Sequence, residues 1–267
     1  MNNNPIGIFD SGIGGLTVAH AIKDVLPDES LIYFGDTAHL PYGDKSEAAI
    51  QAYSVKIADV LLQYNCKVIV IACNSASSAS YELLKEYVKR DVGVINVIDP
   101  MVNLVALEFK NQKVGLIGTK RTVASGIYAK KLDEINSGVR LVSMATPLLV
   151  PMIEEGFFNN KISHDIIDQY LSDSSFNDIK SMVLGCTHYP LIKKELNEYY
   201  GGNIAILDSS EVVAEAVRAH ILDQGIQADK LPPKHKFLVS DFTESFEAST
   251  KLFFGKQVHL ENHRLWE

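Results

Sequence analysis

VIVIACNSAS, residues 68–77, begins as an unbroken apolar run and breaks on a cysteine followed by small polar residues. SMVLGCTHYP, residues 181–190, repeats the pattern around Cys186. Continuous Val/Ile runs, unlike alternating ones, indicate strands buried on both faces, which means parallel strands covered by helices. Working outward, IGIFD (6–10), LIYFGD (31–36), VGVINV, KVGLIG, RLVSM, KSMVLG and NIAIL read as further strands. Helical patterns separate them. Val18, Ala21, Ile22, Val25 and Leu26 form one stripe, and Ile50, Tyr53, Ile57, Val60, Leu61 and Tyr64 another. The second helix is expected to begin near Ser46, with Asp44 and Glu47 spaced as a capping box. A third carries Leu83, Leu84, Tyr87 and Val88. The tail from Lys236 reads as one more strand and helix.

The order also echoes itself. IGIFDSGIGGLTV at 6 can be laid on VGLIGTKRTVASG at 114, LPYG at 40 falls near VPMIEEG at 150, and Cys73 falls near Cys186. The expectation is a doubly wound α/β protein of two similar lobes with parallel sheets, facing one another about a pseudo-two-fold axis. Residues 1–98 with 210–267 would form the lobe carrying Cys73, and residues 99–209 the lobe carrying Cys186.

Bulk properties narrow the function. The 267 residues carry 25 Lys and Arg against 33 Asp and Glu, a formal net charge of -8, with no basic block to hold phosphates. Nucleic acid is not an expected partner. MNNNPIGIFD lacks the charged and apolar regions of a signal peptide, and no apolar run approaches the ~20 residues of a membrane span. The three cysteines form no CxxC pair, so neither a disulfide framework nor a zinc site is suggested. A reduced, cytoplasmic protein that does not engage membranes is expected.

In open α/β sheets, ligands collect beyond the carboxyl ends of the strands, where Cys73 and Cys186 both stand. Each precedes a helix signal, and helix N-termini favour thiolates and bind anions. Cys66, by contrast, reads as a small buried hydrophobe. DSGIGG (10–15) lacks the Gly-Lys-Ser/Thr of a phosphate loop and the third glycine of a dinucleotide site, though its N–H groups could cradle a carboxylate. Asp10 and His188 are candidate partners for the thiols, and Glu154 a further charged neighbour. One cysteine beside a histidine suggests acyl transfer. Two, at matching edges of facing lobes, suggest an acid and a base on opposite faces of one carbon: a racemase or epimerase with no cofactor and no metal.

IGIFDSGIGGLTV, YFGDTAHLPYGDKS, IACNSAS, GLIGTKRTV, VPMIEEG and LGCTHYPLI, in this order, resemble the glutamate racemases, a cofactor-independent two-cysteine family within the aspartate/glutamate racemases. The resemblance implies two flavodoxin-like lobes with the site between them, and interconversion of L- and D-glutamate for peptidoglycan. It implies Cys73 acting on D-glutamate and Cys186 on the L form, with Asp10, Glu154 and His188 assisting proton transfer. Substrate binding would fall to Asp10, Ser11, Pro41, Tyr42, Gly43, Asn74, Ser75, Thr119, Thr122, Thr187 and His188. The family usually has threonine at Ser75; the hydroxyl is kept. Its members are commonly dimeric, so a homodimer is expected. Aspartate racemases share the fold but typically carry Cys-Thr-Glu where this chain has Cys-Thr-His-Tyr-Pro. A Cys186–His188 hydrolase would leave Cys73 and DSGIGG unused; a carboxylate-binding protein without turnover is the remaining alternative.

Overall fold

The computed structural model describes residues 2–88 and 92–266. Strands and helices alternate through most of the chain. β1 (Ile6–Asp10), α1 (Leu16–Val25), β2 (Leu31–Gly35), α2 (Glu47–Gln63), β3 (Val68–Ile71), α3 (Asn74–Tyr87) and β4 (Gly93–Asn96) come first. α4 (Ile98–Glu108) leads to β5 (Lys113–Gly118), α5 (Lys120–Ala124), α6 (Ile127–Glu134), β6 (Arg140–Ala145), α7 (Leu149–Glu154), α8 (Lys161–Leu171), β7 (Ser181–Gly185), α9 (Lys193–Tyr199) and β8 (Ala205–Asp208). α10 (Ser209–Asp223) returns to β9 (Lys236–Val239), α11 (Glu244–Phe254) and β10 (Leu260–Asn262).

The strands form two sheets with parallel pairings throughout, ordered β10-β9-β2-β1-β3-β4 and β6-β5-β7-β8. β2-β1-β3-β4 and β6-β5-β7-β8 are the same order, so the echo in the sequence is an echo in topology: β5 occupies the place of β1, and β7 that of β3. β9 and β10 extend the first sheet; β10 was not anticipated, being three residues with one buried side chain.

Alternate residues of the central strands feed two apolar clusters. Phe9, Ile69 and Ile71 pack with Ile50, Ile57 and Leu61 of α2 and with Leu84 of α3 on one face. Ile6, Ile8, Val68 and Val70 face α1 and belong to a cluster continuous through α4 and α10 with Val114, Leu116 and Val183 of the second sheet. Burial on both faces holds for β1, β2, β3 and β7 but not for the edge strand β6, which is half exposed.

Two local expectations are corrected. The cap of α2 is Ser46, whose side chain accepts the Ala49 N–H, while Asp44 lies in a short 3₁₀ turn (Tyr42–Asp44) and meets Lys120 instead. The α3 stripe is narrower than the sequence suggested: Leu84 and Val88 are buried, but Leu83 and Tyr87 face solvent.

Candidate active site

A cavity of about 310 Å³ lies between the two sheets, at the small end of ligand sites. Its wall is built at the carboxyl ends of equivalent strands. Ser11 follows β1, Leu40 to Asp44 follow β2, and Cys73, Asn74 and Ser75 follow β3. Thr119 and Lys120 follow β5, Thr146 to Glu154 follow β6, and Cys186 to Tyr189 follow β7. The two cysteine turns thus face one cavity, and Cys186 is among the charges felt by Cys73.

Cys73 caps α3 and its thiol donates to Ser11 Oγ at 3.6 Å. The helix terminus was expected to favour its thiolate. Instead burial and then the neighbouring Asp10 carboxylate hold the thiol above its ordinary range, outweighing the Ala76 N–H. Cys73 therefore rests as a thiol. Asp10 is fully buried, and burial raises its pKa against the opposing charge of His188 and backbone N–H groups. Its Oδ2 accepts the N–H groups of Gly12 (3.3 Å) and Gly15 (2.8 Å). This corrects the idea of DSGIGG as a carboxylate cradle, because these N–H groups hold the loop's own aspartate.

Cys186 Sγ lies 3.7 Å from His188 Nδ1, and His188 Nε2 lies 2.9 Å from Glu154 Oε1 at the end of α7. Burial pulls the His188 pKa down, but its bonds to Cys186 and Glu154 prevail and bring it to about 10. The ring is seated by elements attached to the first sheet. A Cβ on Gly14 would fall on the His188 ring and within 2.8 Å of Thr187 Oγ1, so only glycine leaves the room. Thr17 Oγ1 donates to the Thr187 carbonyl at 3.1 Å, and Phe253 of α11 packs edge-on against the ring, centroids 5.2 Å apart. Cys186 is followed not by an α-helix but by a 3₁₀ turn (Tyr189–Ile192) carrying Pro190.

Hydroxyls line the side between the cysteines. Ser75 Oγ and Thr119 Oγ1 are 2.9 Å apart, and Thr119 caps α5 by accepting the Thr122 N–H. Of the anticipated binding residues, Ser11, Pro41, Tyr42, Gly43, Asn74, Ser75, Thr119, Thr187 and His188 reach the wall. Asp10 is buried off the wall and interacts with Cys73, and Thr122 is buried with its hydroxyl 3.0 Å from Thr119. The sequence reading missed Thr146, Val150 and Tyr189 at the wall. Thr146 follows β6 at its carboxyl end, the positional rule that singled out the cysteines, and its hydroxyl lies 2.7 Å from that of Tyr189.

Residues 16–217 match the sequence pattern of the Asp/Glu/Hydantoin racemase family. The chain belongs to this family. Among its relatives, the glutamate racemase of Geobacter metallireducens is 40% identical over 255 residues, 95% of this chain and 93% of that one. That of Chlorobaculum parvum is 38% identical over 259 residues, 96% of this chain and 94% of that one. The crystal structure of glutamate racemase from Francisella tularensis in complex with D-glutamate superposes with a TM-score of 0.93 at 35% identity, covering 99% of both chains. An aspartate racemase of Picrophilus torridus, 20% identical with a TM-score of 0.60 over 94% of this chain and 99% of that one, shares the fold. The family match thus includes both cysteine turns.

Proposed function

We propose that the protein is a glutamate racemase that moves the Cα proton between two cysteines, with no cofactor, and supplies D-glutamate for peptidoglycan. The observation that carries this reading is the placement of Cys73 and Cys186 on one cavity by equivalent strands of two sheets, β3 and β7. With L-glutamate bound, Cys186 as thiolate takes the Cα proton, so the C–H bond breaks as an S–H bond forms. Cys73, resting as a thiol, gives its proton to the opposite face. The product is D-glutamate, with Cys186 now protonated and Cys73 ionised; proton exchange resets the pair. His188, held by Glu154, supports the charge changes at Cys186, and Asp10 those at Cys73. Hydroxyl and amide groups of Ser11, Asn74, Ser75, Thr119 and Thr187 hold the polar groups of the substrate while its α-carboxylate carries the developing charge.

The same reading treats residues 1–98 with 210–267 and residues 99–209 as two lobes that close on the substrate. It takes the protein as a cytoplasmic homodimer. Leu148, Phe157 and Ile162 support the dimer: each is about half exposed, and they line adjoining apolar grooves on α7 and α8. Among the described residues no helix is long and apolar enough to cross a membrane.

Reduced protein incubated with L-glutamate alone is expected to abolish its circular dichroism, and to act more slowly on L-aspartate. Cys73→Ser and Cys186→Ser should each lose at least ~10²-fold in rate, the scale of a lost acid/base group. A protein that leaves glutamate optically intact, or that prefers aspartate, contradicts the proposal. One that tolerates Cys73→Ser is a Cys–His enzyme of another kind.

A further inference from the structure

Asn74, the residue after Cys73, is an amide almost fully buried at the cavity wall. Its Oδ1 accepts a hydrogen bond of 2.7 Å from the hydroxyl of Tyr128. Its Nδ2 is buried with no partner among the described residues. Buried polar groups are nearly always paired, so an unpaired NH₂ beside a cavity marks a donor reserved for a ligand. Tyr128 comes from α6, which follows the second sheet's β5, and it is as deeply buried as Asn74.

Resting on the reading of the cavity as a glutamate site, we propose that Tyr128 is a positioning residue that fixes the Asn74 amide with its NH₂ toward the substrate's carboxylate. Burial, with Asp99 adding to it, keeps Tyr128 a neutral phenol, with a buried proton that needs an acceptor. The Asn74 oxygen is its acceptor, so the NH₂ is turned the other way. With the amide reversed, the buried phenol proton would lose its acceptor, since the NH₂ could only donate to the phenol oxygen, and the amide oxygen would face the anionic substrate. The opposite turn has a related contact: Thr17, from the helix after β1, shares its hydroxyl proton between the Gly14 carbonyl of its own turn and the Thr187 carbonyl after Cys186. Each cysteine turn is therefore held by a hydroxyl from across the cleft.

The test is a double-mutant cycle on the full-length protein with Tyr128→Phe, Asn74→Ala and both together. Tyr128→Phe should raise KM for L- and D-glutamate roughly tenfold, the scale of one hydrogen bond lost at a charged ligand, with kcat little changed. Asn74→Ala should do the same, and the pair no more than Asn74→Ala alone. Effects that multiply, or a fall in kcat at constant KM, would overturn the proposal in favour of a merely structural tyrosine. The side-chain amide protons of Asn74, assigned by NMR through their loss in Asn74→Ala, give a readout independent of turnover. They should shift in Tyr128→Phe even if the protein proves not to racemise glutamate, in which case the function falls and the positioning stands. Unshifted amide protons overturn the positioning whatever the activity.

Discussion

At the scale of single residues, Asp10 shows how this site sets function against stability. Its carboxylate is buried beside a thiol, and its pKa lies above the ordinary value because burial outweighs His188 and the N–H groups of the glycine turn. A folded-state pKa raised above the unfolded one means the native protein binds more protons in the intervening window. Stability from this group is therefore full below about pH 3.8 and declines as pH rises through the raised value. Asp10→Asn keeps an oxygen for Gly12 and Gly15 and removes the buried charge. Its melting temperature should exceed that of the wild type at neutral pH, with the difference vanishing toward pH 3, while racemisation falls by ~10²-fold or more. A variant less stable than the parent at pH 7 would show that the carboxylate is a structural anchor. Cys73 and Cys186 were legible at this scale because a cysteine ending a buried strand is chemically conspicuous. Tyr128 was not: nothing in YAKKL separates it from any core tyrosine, and only the fold brings it to Asn74.

At the scale of elements, the glycine turn between β1 and α1 and the short helix α7 together decide how His188 sits. Glu154, at the end of α7, is one of the groups that lift the His188 pKa to about 10 against its burial. Removing its charge should lower that value, so Glu154→Gln should move the alkaline limb of the kcat/KM profile to lower pH. A limb that stays in place would mean that Glu154 does not act through His188. Gly14→Ala puts a methyl where the ring lies. It should cost about 10²-fold in kcat/KM, the scale of a ~1 Å misplacement, with far-UV dichroism unchanged. Near-normal activity would mean that the turn yields and the ring is not held there. The sequence identified this turn as special but misjudged its use, since only coordinates show the N–H groups of Gly12 and Gly15 aimed at Asp10. The Ser46 cap was lost to the competing Asp44–Glu47 spacing for a similar reason: a cation on another strand's loop, Lys120, takes up Asp44.

At the scale of the molecule, the chain runs one strand order twice and turns the two copies' carboxyl ends toward one cavity. Burial patterns in the strands and the spacing of the two cysteine motifs made that architecture readable. The edge strands were less so, because short half-exposed segments such as β10 carry little apolar signal. The architecture also sets what can be measured. L- and D-glutamate have equal free energies in water, so any substitution must lower kcat/KM by the same factor in both directions, and rates alone cannot show which thiol serves which enantiomer. Isotope partitioning can. In deuterium oxide, L-glutamate sampled at low conversion should yield D-glutamate carrying deuterium at Cα, while the remaining L-glutamate keeps its protium. Deuterium entering the L-glutamate pool as fast as the D product would mean that one group works on both faces of the carbon, and would contradict the two-cysteine account.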